Sequence, residues 1–204
     1  MKESQAKTYT IYNGRVMMID AGYKATQDAL LLADAVDAKS AKTVLDAGVG
    51  TGGVILPLMT RFPKLAAIGL DISQESLDLC AKNAELNGRK IELIKADITK
   101  WKTDRQFDIV VSNPPFFKGS GSREHHGADL AAWTAACARR LKPRGRIYMI
   151  VDPAVMTEVI RSLPDAIGGV TLTPIYSNKN SAERVVISGR LGTKEPSKII
   201  LKIS

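Results

Sequence analysis

From Thr43 onward, short runs of β-branched and apolar residues alternate with helical patterns at a regular spacing, which leaves few architectures open. Residues 43–46, 65–71, 91–96, 107–112 and 146–151 read as strands. Residues 52–61, 73–86, 128–141 and 153–163 read as helices between and after them, with Ser73 as an N-cap and Asn87-Gly88 as a stop. Repeated strand–helix–strand units join parallel strands by right-handed crossovers, so helices must cover both faces of the sheet. Two last strands, 168–176 and 184–191, follow each other without a helix and are expected as an antiparallel edge pair. A chain of 204 residues fits one core of this kind and is short for two.

Ahead of the alternation, the β-prone runs 8–12 and 15–20 flank Asn13-Gly14, a strong two-residue hairpin signal. Residues 1–27 are therefore expected to form a hairpin extension, and residues 28–204 the main α/β domain. Thr26 or Asp28 can cap a first helix through Ala29–Val36. No run is apolar enough for a membrane span, and the opening residues are polar, which predicts a cytoplasmic protein that does not bind membrane. Cys80 and Cys137 are far apart in sequence; the spacing supports no disulfide framework and no metal site. A formal net charge of +8 favours a polyanionic partner, and six of the basic residues lie beyond Asn178.

Two loops carry the chemistry. The first is Asp46-Ala-Gly-Val-Gly-Thr-Gly-Gly53, where a buried strand turns into a helix and glycines let the backbone approach a ligand. Gly48, Gly50 and Gly53 fit the dinucleotide pattern literally, so a nicotinamide-dependent dehydrogenase is one reading. Three acidic strand ends favour S-adenosylmethionine instead, because carboxylates repel a diphosphate. Asp46 is positioned for a cationic amino-acid group, Asp71 for two ribose hydroxyls, and Asp97 for an adenine amine, with Ile72 and Ile98 as apolar walls. Gly48, Gly50 and Gly52 would line the loop itself.

The second loop is Ser112-Asn-Pro-Pro-Phe-Phe117. Two prolines fix φ and remove backbone donors, so Asn113 Oδ1 and the Pro114 carbonyl are displayed as acceptors. A flat NH₂ group suits them: an exocyclic amine or a primary amide. Pro115 stiffens the lip, and Phe116 and Phe117 offer faces to the substrate. Lys118–Gly127 is Gly/Ser-rich and contains Arg123, His125 and His126; it reads as a loop able to close over substrate, with solvated or phosphate-facing side chains. Trp133 reads as a core residue. Tyr9, Tyr12, Arg15 and Lys24, with the basic C-terminal strands, are candidates for RNA contact.

The glycine loop, Asp71, Ala96-Asp97-Ile98 and Ser112-Asn-Pro-Pro-Phe-Phe117 resemble, in order and spacing, those of class I S-adenosylmethionine-dependent methyltransferases. With the N-terminal hairpin and Lys24–Leu30, the chain is similar over nearly its full length to the bacterial tRNA(Val) adenine-N6 methyltransferase family. The resemblance implies a single Rossmann-like domain with a seven-stranded, mostly parallel sheet and an antiparallel last strand. It implies methyl transfer from S-adenosylmethionine, giving S-adenosylhomocysteine, to adenine N6 in a structured RNA such as tRNA, without a metal, by a monomer or homodimer. Alternative acceptors are glutamine N5 of a protein and adenine N6 of DNA. Glutamine enzymes usually carry a separate N-terminal helical domain, for which this leader is short. A non-catalytic nucleoside-binding module is a further alternative, which the intact Asn113–Phe116 element disfavours. Val49 in the glycine loop and Phe116 where tyrosine is frequent depart from the family pattern.

Overall fold

A computed structural model of the chain describes residues 7–22, 25–115, 129–176 and 181–200. The hairpin comes first, with β1 (Thr8–Ile11) antiparallel to β2 (Val16–Ile19). Helix α1 (Gln27–Ala35) follows, capped by Thr26, whose hydroxyl accepts from the Ala29 N–H. Then come β3 (Thr43–Ala47), α2 (Ile55–Arg61), β4 (Ala66–Asp71), α3 (Gln74–Leu86), β5 (Ile91–Lys95) and β6 (Phe107–Ser112). The chain continues through α4 (Leu130–Arg139), β7 (Leu141–Val151), a short 3-10 turn, α5 (Met156–Ser162), β8 (Ile167–Ile175), β9 (Arg184–Leu191) and β10 (Lys198–Ile199).

The main sheet runs β10-β8-β9-β7-β6-β3-β4-β5. From β7 to β5 every pair is parallel, and β9 runs antiparallel to both β7 and β8. The sheet has eight strands where seven were expected, because two residues of β10 add in parallel to the outer edge of β8. Period-two alternation sends neighbouring residues to opposite faces. Val44, Ala67, Ile109, Val111 and Ile150 pack on one side, with α1, α2, α3 and β2. Leu45, Ile68, Val110, Ile147 and Met149 pack on the other, with α4 and α5. Burying each such Leu, Ile or Val side chain contributes about 1.5–3 kcal/mol, so both faces are held by hydrophobic burial. Among the described residues, no helix is long and apolar enough to cross a membrane.

Three local differences from the sequence reading have physical causes. In the hairpin, Ile11 pairs with Val16, so four residues form the turn rather than two. Tyr12 and Asn13 both adopt left-handed φ, and the Tyr12 hydroxyl is hydrogen-bonded to Asp34 on α1. Helix α2 begins at Ile55 rather than at residue 52, since Gly52 sits at φ +97°. The stretch 142–145, between the expected helix 128–141 and the expected strand 146–151, is a bulge inside β7: the register takes two steps on β6 and five on β7 between paired residues.

Candidate active site

The C-terminal ends of β3, β4, β5 and β6 face one cleft, the position where open parallel sheets hold ligands. The loop after β3 is pinned from below. Gly48 N–H and Val49 N–H both donate to the Leu70 carbonyl, at 2.8 and 2.9 Å. Asp71, at the end of β4, accepts from Gly50 N–H at 2.8 Å through Oδ2 and from Ser73 N–H at 2.9 Å through Oδ1. Its carboxylate thus braces the glycine loop and the start of α3 at once, and each oxygen keeps a lone pair for a further donor. Gly52 is enforced by space as well as by φ, because a Cβ there would lie 3.0 Å from Leu56 and 3.2 Å from the Cys80 sulfur.

Two cavities meet at this loop. One, of about 710 Å³, is lined by Gly48, Gly50, Asp71, Ile72, Asp97 and Asn113, among others. The other, of about 390 Å³, lies toward α1 and is lined by Ala25, Thr26, Gly48–Val54 excepting Gly52, the start of α3, and again Asn113. Both volumes suit a small-molecule site. Asn113 stands at the tip of β6 on the wall common to both. Its Nδ2 reaches Thr26 Oγ1 at 3.5 Å, a long contact, and its Oδ1 has no partner among the described residues. Pro115 lines the larger cavity, whereas Pro114 is buried beside it.

The remaining sequence candidates fall into distinct places. Asp46 lines neither cavity; it is 1% exposed beneath the glycine loop, and neither carboxylate oxygen has a hydrogen-bond partner. Burial, and then the nearby negative charge of Asp71, push its carboxyl well above the ordinary range. Asp97 lines the larger cavity, but its Oδ1 already accepts from the Thr99 hydroxyl at 2.7 Å and the Thr99 N–H at 2.9 Å. Those bonds, with Lys100 nearby at 3.5 Å, outweigh its burial and hold its carboxyl below the usual value. Ile72 is 70% exposed on the cavity wall, while Ile98 is buried in the core on the α4 side and lines neither space. Phe116, Phe117, Lys24 and Arg123, with His125 and His126, lie outside the described residues. Among the described residues, no cluster of three or more His, Cys, Asp or Glu side chains is placed to hold a metal.

Trp133, read from sequence as core, packs against the core on the α4 side and is also a wall of the site. It lines the larger cavity, a Cβ on Gly48 would sit 3.4 Å from its ring, and its Nε1–H donates to Ser112 Oγ at 3.0 Å. Ser112 Oγ in turn donates to the Ala47 carbonyl at 2.7 Å. This chain ties α4, the residue before Asn113 and the start of the glycine loop into one unit. The signal was present in sequence: Asp129 caps α4, and an aromatic one turn later leans back toward the helix N-terminus, which is the cleft end.

Comparison with known proteins identifies the family. Residues 20–174 match the profile of the methyltransferase small domain. A tRNA1(Val) (adenine(37)-N6)-methyltransferase of Glaesserella parasuis is 30% identical over 138 residues, which cover 63% of this chain and 59% of that protein. A release factor glutamine methyltransferase of Agrobacterium fabrum is 40% identical over 95 residues, 45% of this chain and 32% of that one. The chain thus spans less than two thirds of either relative. In fold, a 16S rRNA N2 G1207 methyltransferase of T. thermophilus, solved with AdoMet and guanosine, superposes with a TM-score of 0.69 at 22% identity, covering 92% of this chain and 50% of its own. With more than half its length matched by that profile, and with a class I sheet carrying a glycine-loop cleft, the chain belongs to the methyltransferase small domain family of S-adenosylmethionine-dependent enzymes.

Proposed function

We propose that this protein transfers a methyl group from S-adenosylmethionine to the N6 amine of an adenine in a structured RNA, with tRNA the foremost candidate. The observation that carries the reading is Asn113: it lies on the wall shared by both cavities, and its Oδ1 is free among the described residues. The cofactor, when bound, supplies an electrophilic methyl carbon on a sulfonium. In this reading Asp71 receives the ribose hydroxyls, Ile72 covers the adenine, and the loop Gly48–Gly53 leaves room for the amino-acid tail. Asp46, buried beneath the loop with no donor on either oxygen, would act on the ammonium group through its charge rather than by direct contact.

Asn113 Oδ1 and the Pro114 carbonyl accept the two hydrogens of the acceptor amine. Both bonds oppose delocalisation of the nitrogen lone pair into the ring and aim it at the donor carbon. With the donor bound, a new N–C bond would form as the C–S bond broke, and the nitrogen, then cationic and acidic, would give its proton to water. Orientation and electrostatic positioning supply the rate enhancement, with no dedicated base. An acceptor base must be unstacked to reach the cleft, and a single-stranded loop of RNA meets that need at low cost. The net charge of +8 favours such a partner.

Glutamine N5 in a protein is the second reading, favoured by the 40% identity to the release factor enzyme across the shared segment. The deciding assay supplies labelled S-adenosylmethionine with total tRNA and, separately, with purified release factors, then digests the product. N6-methyladenosine is the expected result; methylglutamine would replace the RNA reading with the protein one. Asn113→Ala should lower transfer on the order of 10²-fold while S-adenosylhomocysteine affinity changes by less than about threefold. Undiminished transfer by that variant would remove the mechanism.

A further inference from the structure

At the other end of the sheet lies a third cavity, of about 280 Å³, that shares no lining residue with the cleft. It is walled by Arg144, Arg146 and Arg190, with Asp37, Ser40 and Asp108 opposite. We propose that this cavity is a binding site for a phosphate group, roughly 15 Å along β6 from Asn113 at the rise of a strand. The proposal does not depend on the methyl-transfer reading.

Charge is the first argument. Asp108 is spent: Lys142 Nζ lies 3.1 Å from its Oδ1, and its Oδ2 accepts from the Thr43 hydroxyl and the Lys42 and Thr43 N–H groups. That leaves Asp37 as the one lining carboxylate without a cation of its own, facing three guanidinium groups; its Oδ1 accepts from Lys39 N–H. Glu195 adds a weaker negative field at Arg146, which is hydrogen-bonded to Tyr148. Among the described residues Arg190 uses only Nε, donating to the Arg144 carbonyl at 3.2 Å, and the Arg144 guanidinium has no partner. Planar guanidinium forks arriving from different strands fit the several oxygens of a tetrahedral anion.

Backbone geometry is the second, independent argument. Arg144 follows Pro143 at φ +65°, a position where glycine is ordinarily found. It belongs to the bulge that interrupts β7, and Gly145 seats that bulge hard against β6: a Cβ on it would meet the carbonyls of Lys142, Phe107 and Asp108 at 2.9–3.1 Å. Bulges re-aim side chains, and a strained non-glycine residue held in place points to a use for its side chain. Here the bulge brings Arg144 to the cavity that Arg146 and Arg190 already line.

The test is calorimetric titration with orthophosphate at fixed ionic strength, alongside anisotropy of fluorescein-labelled total tRNA at several salt concentrations. Wild type should bind one phosphate per chain, and Arg144→Gly with Arg190→Gln should weaken it at least tenfold. Arg144→Gly alone should melt no lower than wild type, because glycine relieves the left-handed conformation. If the phosphate belongs to RNA, the same variants lower tRNA affinity and reduce the salt slope by about one per arginine removed. If the ligand is a free phosphate, orthophosphate binding is lost and tRNA binding is unchanged. No phosphate binding by wild type, or undiminished binding by the double variant, overturns the site. S-adenosylhomocysteine titration should be unaffected throughout, so a failure of the methyl-transfer reading is seen separately.

Discussion

Asp46 concentrates the conflict between stability and function in a single side chain. A carboxylate at 1% exposure with no donor on either oxygen is costly to ionise, and the Asp71 charge makes it costlier. Because its folded-state pKa is raised, its contribution to stability is complete in acid and is lost as pH climbs through that raised value. Asp46→Asn removes the titration. The variant should gain on wild type between pH 5 and pH 8, by up to about 1.4 kcal/mol per pH unit, read from urea midpoints at both. If the carboxylate serves an ammonium group, S-adenosylhomocysteine should bind Asp46→Asn more weakly; equal affinity would leave Asp46 as a purely internal charge.

At the scale of elements, the hairpin is attached to the glycine loop through α3. Asn83, fully buried, accepts from Ile19 N–H at 2.8 Å and donates to the Thr51 carbonyl at 2.9 Å. One turn on, Asn87 accepts from Met17 N–H at 2.9 Å and donates back to the Met17 carbonyl at 2.6 Å. Two asparagines four residues apart on one helix face thus pair with β2 as a neighbouring strand would. Asn83→Ala leaves a β2 donor and a loop carbonyl without partners, so it should cost about 2 kcal/mol, or about 4–8 °C in Tm for a chain of this size. Cofactor affinity should fall with it, since Thr51 sits in the loop; a melt shifted without loss of affinity would show that the hairpin braces the fold and not the cleft.

Over the whole molecule, the two buried thiols report how tightly the faces of the sheet are packed. Cys80 lies within α3 and Cys137 within α4, and burial pushes both up to about 12 from an ordinary 9.0, with the Asp46 charge adding to each. Both folded-state values are raised, so stability is complete below about pH 9 and falls between there and pH 12 as the unfolded thiols ionise. The slope should approach 1.4 kcal/mol per pH unit for each thiol. Urea midpoints from pH 8 to pH 10.5 measure it, and Cys80→Ala should remove about half of the slope. A wild-type curve that stays flat across that range would mean the thiols are not sealed by the packing described.

What was legible in the sequence is what depends on near neighbours along the chain. The strand–helix alternation, the caps at Thr26 and Ser73, and the glycine turn follow from local propensities and steric limits, and they already imply a parallel sheet with its loops at one end. The Asn113-Pro-Pro115 lip could be located for the same reason, because proline acts on its own bond and the residue before it. Tertiary structure alone decided the rest. That Asp46 is sealed below its loop, that Trp133 reaches Gly48 and Ser112, and that three arginines from β7 and β9 line one cavity all depend on which strands are adjacent and in what register. Register sets those juxtapositions through packing across residues far apart in sequence, and no short window of the chain contains both partners.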